Sequence, residues 1–226
     1  MKLDLHCHSE ASSDCRTPIH AFPDLMRARG ITVQAITDHN EIWGAASLRT
    51  LVRARSLDDE LTIIVGEEVS TREGELIGLF LTERIPAGLS PEETAAEIKR
   101  QGGLVLLPHG FDPLKRHRLK PEARERIADE IDIVESFNAR ISQGRYNREA
   151  ADWARARGLP LSGGSDAHTE DQIGDAWSEA PNRTIRTPED LLATLRAGTV
   201  VGTWTHPVLA FGKKQLSSLR RSSRTP

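Results

Sequence analysis

The chain has 226 residues, 38% of them apolar and 28% charged, with a net charge of −3 and only two cysteines. These values fit one globular domain large enough to bury a good core. No apolar run is long enough to span a membrane, and two cysteines without CxxC spacing exclude a disulfide framework, leaving Cys7 and Cys15 as expected free thiols. The first residues lack a basic-then-apolar leader, so the cytoplasm is the expected compartment.

In chain order, "MKLDLHC" reads as a first strand and "FPDLMRARG" as a helix that stops at Gly30. "ITVQAIT" is a second strand. "WGAASLRTLVRAR" carries apolar residues at helical spacing. "LTIIVGEEV" is a third strand, and "TREGELIGLFL" turns at Gly74 as a hairpin or strand extension. A capping Ser90, with Pro91 behind it, opens the next helix. "GLVLLPH" is a strand, "PEARERIADE" a helix, "IDIVESF" a strand and "GRYNREAADWARARG" a helix closed by Gly158. "LPLSGGSDAH" is a short strand and loop. Thr187 caps the last helix, through Ala197, before the strand "TVVGTW". Strand–helix alternation with β-branched strands predicts a parallel α/β sheet or barrel.

Residues 1–212 read as one domain and 213–226 as a basic tail expected to be disordered. The five tail cations, Lys213, Lys214, Arg220, Arg221 and Arg224, leave a body of 25 basic against 33 acidic residues, a net −8. An acidic body with 4% aromatic residues is a poor platform for long nucleic acid, which wants a basic groove and stacking rings.

The chemistry lies where strands run out. Residues two apart in a strand share a face, so His6 and His8 point one way and Cys7 the other. Later strand ends supply Asp38 and His39, Glu67 and Glu68, His109, Glu135 and Asn138, and finally Asp166 and His168. In parallel α/β folds these ends share one rim, where sites are built. A mixed His/Asp/Glu set there suits zinc, manganese or iron, because imidazole and carboxylate are their preferred ligands. Asp4 and Asp38 are candidates to orient imidazoles by accepting their second N–H, with turn or cap roles as the alternative. Among rim cations Arg16, Lys115, Arg116, Arg140 and Arg145, the strongest candidates to bind a substrate phosphate are Arg16 and Arg140. The pair Gly163-Gly164 lacks a phosphate-loop pattern and reads as close backbone packing.

In order, "DLHCHSEASSD", "AITDHN", "GEEVS", "LPHGFD" and "GSDAH" resemble the motifs of the PHP (polymerase and histidinol phosphatase) family, from about Lys2 to about Trp177. Only 40 residues separate Glu68 from His109, too few for the helical insertion of the nucleotide-phosphatase and exoribonuclease branch, so the chain resembles the short, stand-alone members. The resemblance implies a distorted, TIM-like seven-stranded (β/α) barrel holding two or three divalent metal ions at its C-terminal rim. It implies His6, His8, Glu68 and Asp166 on a first metal, with Glu68 bridging to a second that His109 also holds. Asp14, His39 and His168 would hold a third. The second metal's remaining ligand is often histidine in the family; here the strand end offers Glu135, with Asn138 further on.

Grouped metals make hydroxide from water near neutral pH, neutralise phosphate oxygens and steady the departing oxygen, so an in-line attack needs no protein nucleophile. None is visible: there is no GxSxG and no cysteine paired with a base. The expected activity is a metal-dependent phosphoric ester hydrolase acting on a small phosphorylated molecule, a nucleotide or metabolite. The alternatives are a nuclease acting on oligonucleotide ends and a non-catalytic PHP-like binding module. The oligomeric state is not legible in the sequence.

Overall fold

The computed structural model describes residues 1–204; the basic tail read from the sequence lies outside the described residues. Nine strands form one sheet: β1 Lys2–Asp4, β2 Val33–Ile36, β3 Thr62–Thr71, β4 Gly74–Leu79, β5 Leu104–Leu107, β6 Ile133–Asn138, β7 Leu161–Gly164, β8 Ala176–Glu179 and β9 Thr199–Gly202. Their order is β7-β6-β5-β4-β3-β2-β1-β8-β9. Strands β1, β2 and β3 are mutually parallel, as are β5, β6 and β7. Between the two triplets, β4 runs antiparallel to both neighbours.

Past the end of β1 the chain turns to β7's continuation. Leu5 N donates to Gly163 O at 3.4 Å, Asp166 N to His6 O at 2.8 Å and His8 N to Ala167 O at 3.1 Å. These bonds close β1 to β7 into the seven-membered ring that the PHP resemblance implies. The antiparallel pair β8–β9, whose connection contains the helix Pro188–Arg196, lies on β1's other edge and brings the total to nine; β8 is the strand with no sequence-based expectation.

Among the described residues six helices connect the strands: α1 Phe22–Arg29, α2 Trp43–Ala54, α3 Pro91–Arg100, α4 Pro121–Arg126, α5 Gly144–Ala156 and α6 Pro188–Arg196. Their ends follow local rules. Gly30 ends α1 at φ 68°, and α3 and α6 carry capping boxes, Ser90 with Glu93 and Thr187 with Asp190. The fourth helix is shorter than the sequence suggests, giving way to a 3-10 turn at Ala128–Glu130. Among the described residues no helix is long and apolar enough to cross a membrane.

Strand alternation sorts the core into two clusters. Ile36, Ile63, Val65, Val105, Leu107 and Val134 pack under helix residues such as Met26, Leu48, Val52, Ile98 and Ala154. On the other face, Leu3, Leu5, Val33, Ala35, Ile64, Ile77, Leu106 and Ile133 meet Leu191 and Leu195 of α6. The residues that continue this inner face toward the rim are polar: Glu68 follows Ile64 by four, and Glu135 follows Ile133 by two. The alternation breaks after β1. Leu3 and Leu5 belong to the inner cluster, yet Cys7 belongs to the outer one, which frees His6 and His8 to face the inner rim.

Candidate metal centre

Glu68 sits at the centre of the rim. Its Oε2 lies 3.3 Å from His6 Nε2, 3.4 Å from His8 Nε2 and 3.3 Å from His39 Nδ1, and its Oε1 lies 2.9 Å from His109 Nε2. Asp166 Oδ1 is 3.6 Å from His8 Nε2 and 3.8 Å from His6 Nε2. At one end Asp14 Oδ2 reaches His168 Nε2 at 2.9 Å and His39 Nε2 at 3.9 Å. At the other, Glu75 lies 3.6 Å from His39 Nδ1 and 3.9 Å from His109 Nε2. Among the described residues four triads bring one ligand atom from each member within 4.8 Å: His8–His39–His168, His6–His8–Glu68, His6–His109–Asp166 and His39–Glu68–Glu75.

Local backbone places these groups at some cost. His109 and Asp166 adopt positive φ, 28° and 51°, a region that side chains other than glycine rarely occupy. Gly164 answers a close approach, since a Cβ there would run into Glu135 Oε1 and His6 Cβ. That is the packing role expected of the glycine pair.

Burial and neighbouring charges set how charge is shared. Burial opposes charge on His6, but Glu135, Glu68 and Asp166 together push its pKa well above the ordinary imidazole value. His8, equally buried and facing His168, is pushed down to about 3. Burial works against ionising Glu68, yet His6 and His109 hold it well below the usual carboxylate range. Lys115, Arg140 and His6 do the same for buried Asp166. Glu75 goes the other way: burial, then the charges of Glu68 and Asp166, push it up to about 9. The charge already on Glu68 and Asp166 thus disfavours ionising Glu75 beside them.

Two features fit divalent cations in this space. Imidazole and carboxylate are the donor set that zinc, manganese and iron prefer. The second is convergence without enough hydrogen-bonding partners of opposite kind: one ligand atom from each of His6, His8 and Glu68 lies within 4.8 Å of the others, as does one from each of His39, Glu68 and Glu75.

The PHP domain model matches residues 4–136, and a PHP-associated model matches residues 144–200. The chain belongs to the PHP family. An uncharacterized protein of Methanocaldococcus jannaschii is 40% identical over 161 residues, 66% of this chain and 89% of that one. Among solved structures, a two-domain protein from Bacteroides vulgatus containing a predicted PHP-like metal-dependent phosphoesterase superposes with TM-score 0.67 at 20% identity. The match covers 89% of this chain and 64% of that one. A lesion-specific endonuclease from Pyrococcus furiosus superposes with TM-score 0.59 at 17% identity, covering 91% of this chain and 59% of that one. This chain therefore spans less than two thirds of either structure, and at these identities the likeness is one of fold. The expected enzyme class, a metal-dependent phosphoric ester hydrolase, stands with the family membership.

Of the residues that PHP resemblance singles out, His6, His8, Asp14, His39, Glu68, His109, Asp166 and His168 converge on this one rim. Glu135 has a different part. Its Oε1 faces His6 Nδ1 at 3.0 Å, and its Oε2 accepts from His109 N at 2.7 Å and Asn138 Nδ2 at 3.0 Å. Both oxygens are engaged in holding other site residues, and Glu135 joins none of the four triads. The carboxylate beside Glu68 and His109 is instead Glu75, which the sequence reading passes over.

The two acids expected behind the imidazoles also stand elsewhere. Asp4 accepts from Ser165 N and Oγ and from His6 N, and Asp38 accepts from Ser9 N and Oγ. The break in alternation after β1 leaves Asp4 facing the backbone of the β7 loop, and Asp38 spends both oxygens on Ser9. The imidazole partners are Glu135 for His6, Ser12 Oγ for His8 Nδ1 at 3.1 Å, and the Asp166 carbonyl for His168 Nδ1 at 2.9 Å.

The rim cations divide. Lys115 binds Asp166 Oδ2, and Arg140 binds Asp166 Oδ1 at 3.1 Å and the His168 ring. Arg16 is exposed and makes no contact among the described residues that would aim it at the site. Arg145 donates to Tyr146 Oη instead. Both thiols are free and buried; Cys7 packs with Phe22 and Met26, facing away from the histidines.

Proposed function

We propose that this PHP protein hydrolyses the phosphate ester of a small phosphorylated molecule, a nucleotide or other metabolite, with two or three divalent ions at the rim. The observation that carries the reading is Glu68, whose two oxygens face four imidazole nitrogens within 3.4 Å. Four rings converging on one carboxylate is the arrangement of a bridging ligand and a wasteful way to satisfy a buried acid.

We assign His6, His8, Glu68 and Asp166 to a first metal, Glu68, Glu75 and His109 to a second, and Asp14, His39 and His168 to a third. Zinc, manganese and iron all suit these donors. Bound ions of this kind activate water near neutral pH and neutralise phosphate oxygens. The chain's own part is positional. Glu135 accepts from His6 Nδ1, directing Nε2 at the rim, and Ser12 does the same for His8 while accepting from His39 N at 2.9 Å. Arg140 and Lys115 supply positive charge beside Asp166.

Metal analysis of purified protein, followed by phosphate release from a panel of phosphomonoesters beside a labelled single-stranded oligonucleotide, tests this reading. Hydrolysis of at least one monoester should vanish on chelation and return on adding zinc, manganese or iron. Full hydrolysis by chelated protein sinks the mechanism. Preferential cleavage of the oligonucleotide moves the reading to a nuclease, and turnover of neither substrate with any metal moves it to a binding module.

A further inference from the structure

Asp112 is 1% exposed and forms no ion pair among the described residues. A carboxylate buried so deeply without a cation is expensive unless hydrogen bonds hold it. Three do. Oδ2 accepts from Ser142 N at 2.5 Å, while Oδ1 accepts from Ser142 Oγ at 2.7 Å and Leu114 N at 2.9 Å. Ser142 lies in the loop between β6 and α5, and Asp112 lies in the loop between β5 and α4. The carboxylate therefore ties together the two loops that carry Arg140 and Lys115.

Both cations are fixed close to the tie. Lys115 N donates to Asp112 O at 3.1 Å, and Arg140 N donates to Asn138 Oδ1 at 2.8 Å. Their charged heads converge on the two oxygens of one carboxylate: Lys115 Nζ on Asp166 Oδ2 and Arg140 Nη1 on Oδ1. Each side chain remains partly open to solvent, 22% for Lys115 and 31% for Arg140. Two cations from different loops that meet at one rim carboxylate and still face solvent are placed to receive an anion there.

We propose that Asp112 is a positioning residue that locks the Lys115 and Arg140 loops into one clamp for the terminal phosphoryl group of a phosphomonoester. The inference rests on the phosphoesterase reading above and narrows its substrate class. Two added cations beside divalent ions match a dianion with three free oxygens better than a diester, which carries one charge and two free oxygens. Asp112 itself touches no substrate. It acts through the distance between two loops.

The test is binding of inorganic phosphate to the full chain loaded with manganese, followed by titration calorimetry, with bound manganese measured in parallel. Lys115→Ala/Arg140→Ala should weaken phosphate binding by about a hundredfold, and Asp112→Asn by about tenfold, the order expected for charge-assisted hydrogen bonds lost or misplaced. Bound manganese should be unchanged by Asp112→Asn. In the Lys115→Ala/Arg140→Ala background, Asp112→Asn should add less than about twofold, because its effect runs through those two side chains. An equal loss in both backgrounds, or no loss in either, overturns the clamp. If Asp112→Asn does not fold, Ser142→Ala carries the same comparison. It removes one hydroxyl donor, keeps the amide bond, and should cost about threefold in the native background and nothing in the double variant. The two readings fail differently. Metal-loaded native protein that binds no phosphate overturns the proposed function and the clamp with it, whereas intact phosphate binding that ignores Asp112 overturns the clamp alone.

Discussion

The Glu68 end of the rim and its Asp14 end use the same residue types in opposite surroundings. His6, His8, Glu68, His109 and Asp166 are at most 6% exposed, whereas the side chains of Asp14 and His39 are 48% and 28% exposed. At the closed end His6 and His8 are braced by buried partners, Glu135 and Ser12, and Glu135 also holds the backbone of His109. At the open end Asp14 relies, among the described residues, on His168 and His39. Bracing fixes ligand geometry before any ion arrives, and exposure lets water and substrate enter. On the proposed assignment the difference divides the work: the closed end would hold metal, and the open end would let an ion exchange and a substrate approach.

The sharpest break of this contrast is Glu68→Ala. It removes the one carboxylate shared by four imidazoles, so bound metal should fall to near zero and hydrolysis by on the order of a thousandfold or more. Retention of two or more ions per chain by inductively coupled plasma analysis would count against Glu68 as a bridge. Glu135→Gln tests bracing itself. The amide can still accept from one neighbour but no longer offers two charged oxygens to His6, His109 and Asn138, so metal affinity should drop about 10- to 100-fold with little change in fold. Competition with a chelator of known strength reads this directly. Asp14→Asn should do least at the closed end, weakening one ion by about tenfold while the others stay. Loss of all metal together would show that the two ends form a single unit.

The sequence carried the framework well because its signals are local. Gly30, Ser90 and Thr187 mark helix boundaries through their own backbone and cap chemistry, and the strand ends bring His6, His8, His39, Glu68, His109, Asp166 and His168 to one rim. What it could not carry was direction beyond one strand. Glu75 begins β4, which runs antiparallel, so its N-terminal end lies at the rim where parallel strands have their C-terminal ends. The pairing of Ser70 with Glu75 brings it back beside Glu68. A search confined to C-terminal strand ends passes over it, although the turn at Gly74 was the available signal. Glu135 shows the converse: position at a strand end does not tell which oxygens are already taken. Asp4 shows how one break in alternation, after β1, redirects a side chain that strict periodicity would place beside His6.

Glu75 also allows the smallest and most selective test of the contrast. Its folded pKa is pushed up to about 9 from an ordinary value of 4.5, by burial and then by Glu68 and Asp166. The folded state then binds this proton more tightly than the unfolded chain, so the group's contribution to stability falls as pH rises from about 4.5 towards 9. Metal-free Glu75→Gln lacks that penalty. By thermal melting it should match the native protein near pH 4 and exceed it by a growing margin up to pH 9. Loading with manganese should reverse the order, because the ion takes the place of the proton on Glu75 and the glutamine loses that ligand. Equal melting temperatures at every pH would mean that Glu75 feels neither its buried neighbours nor the metal, and the closed end would then stop at Glu68.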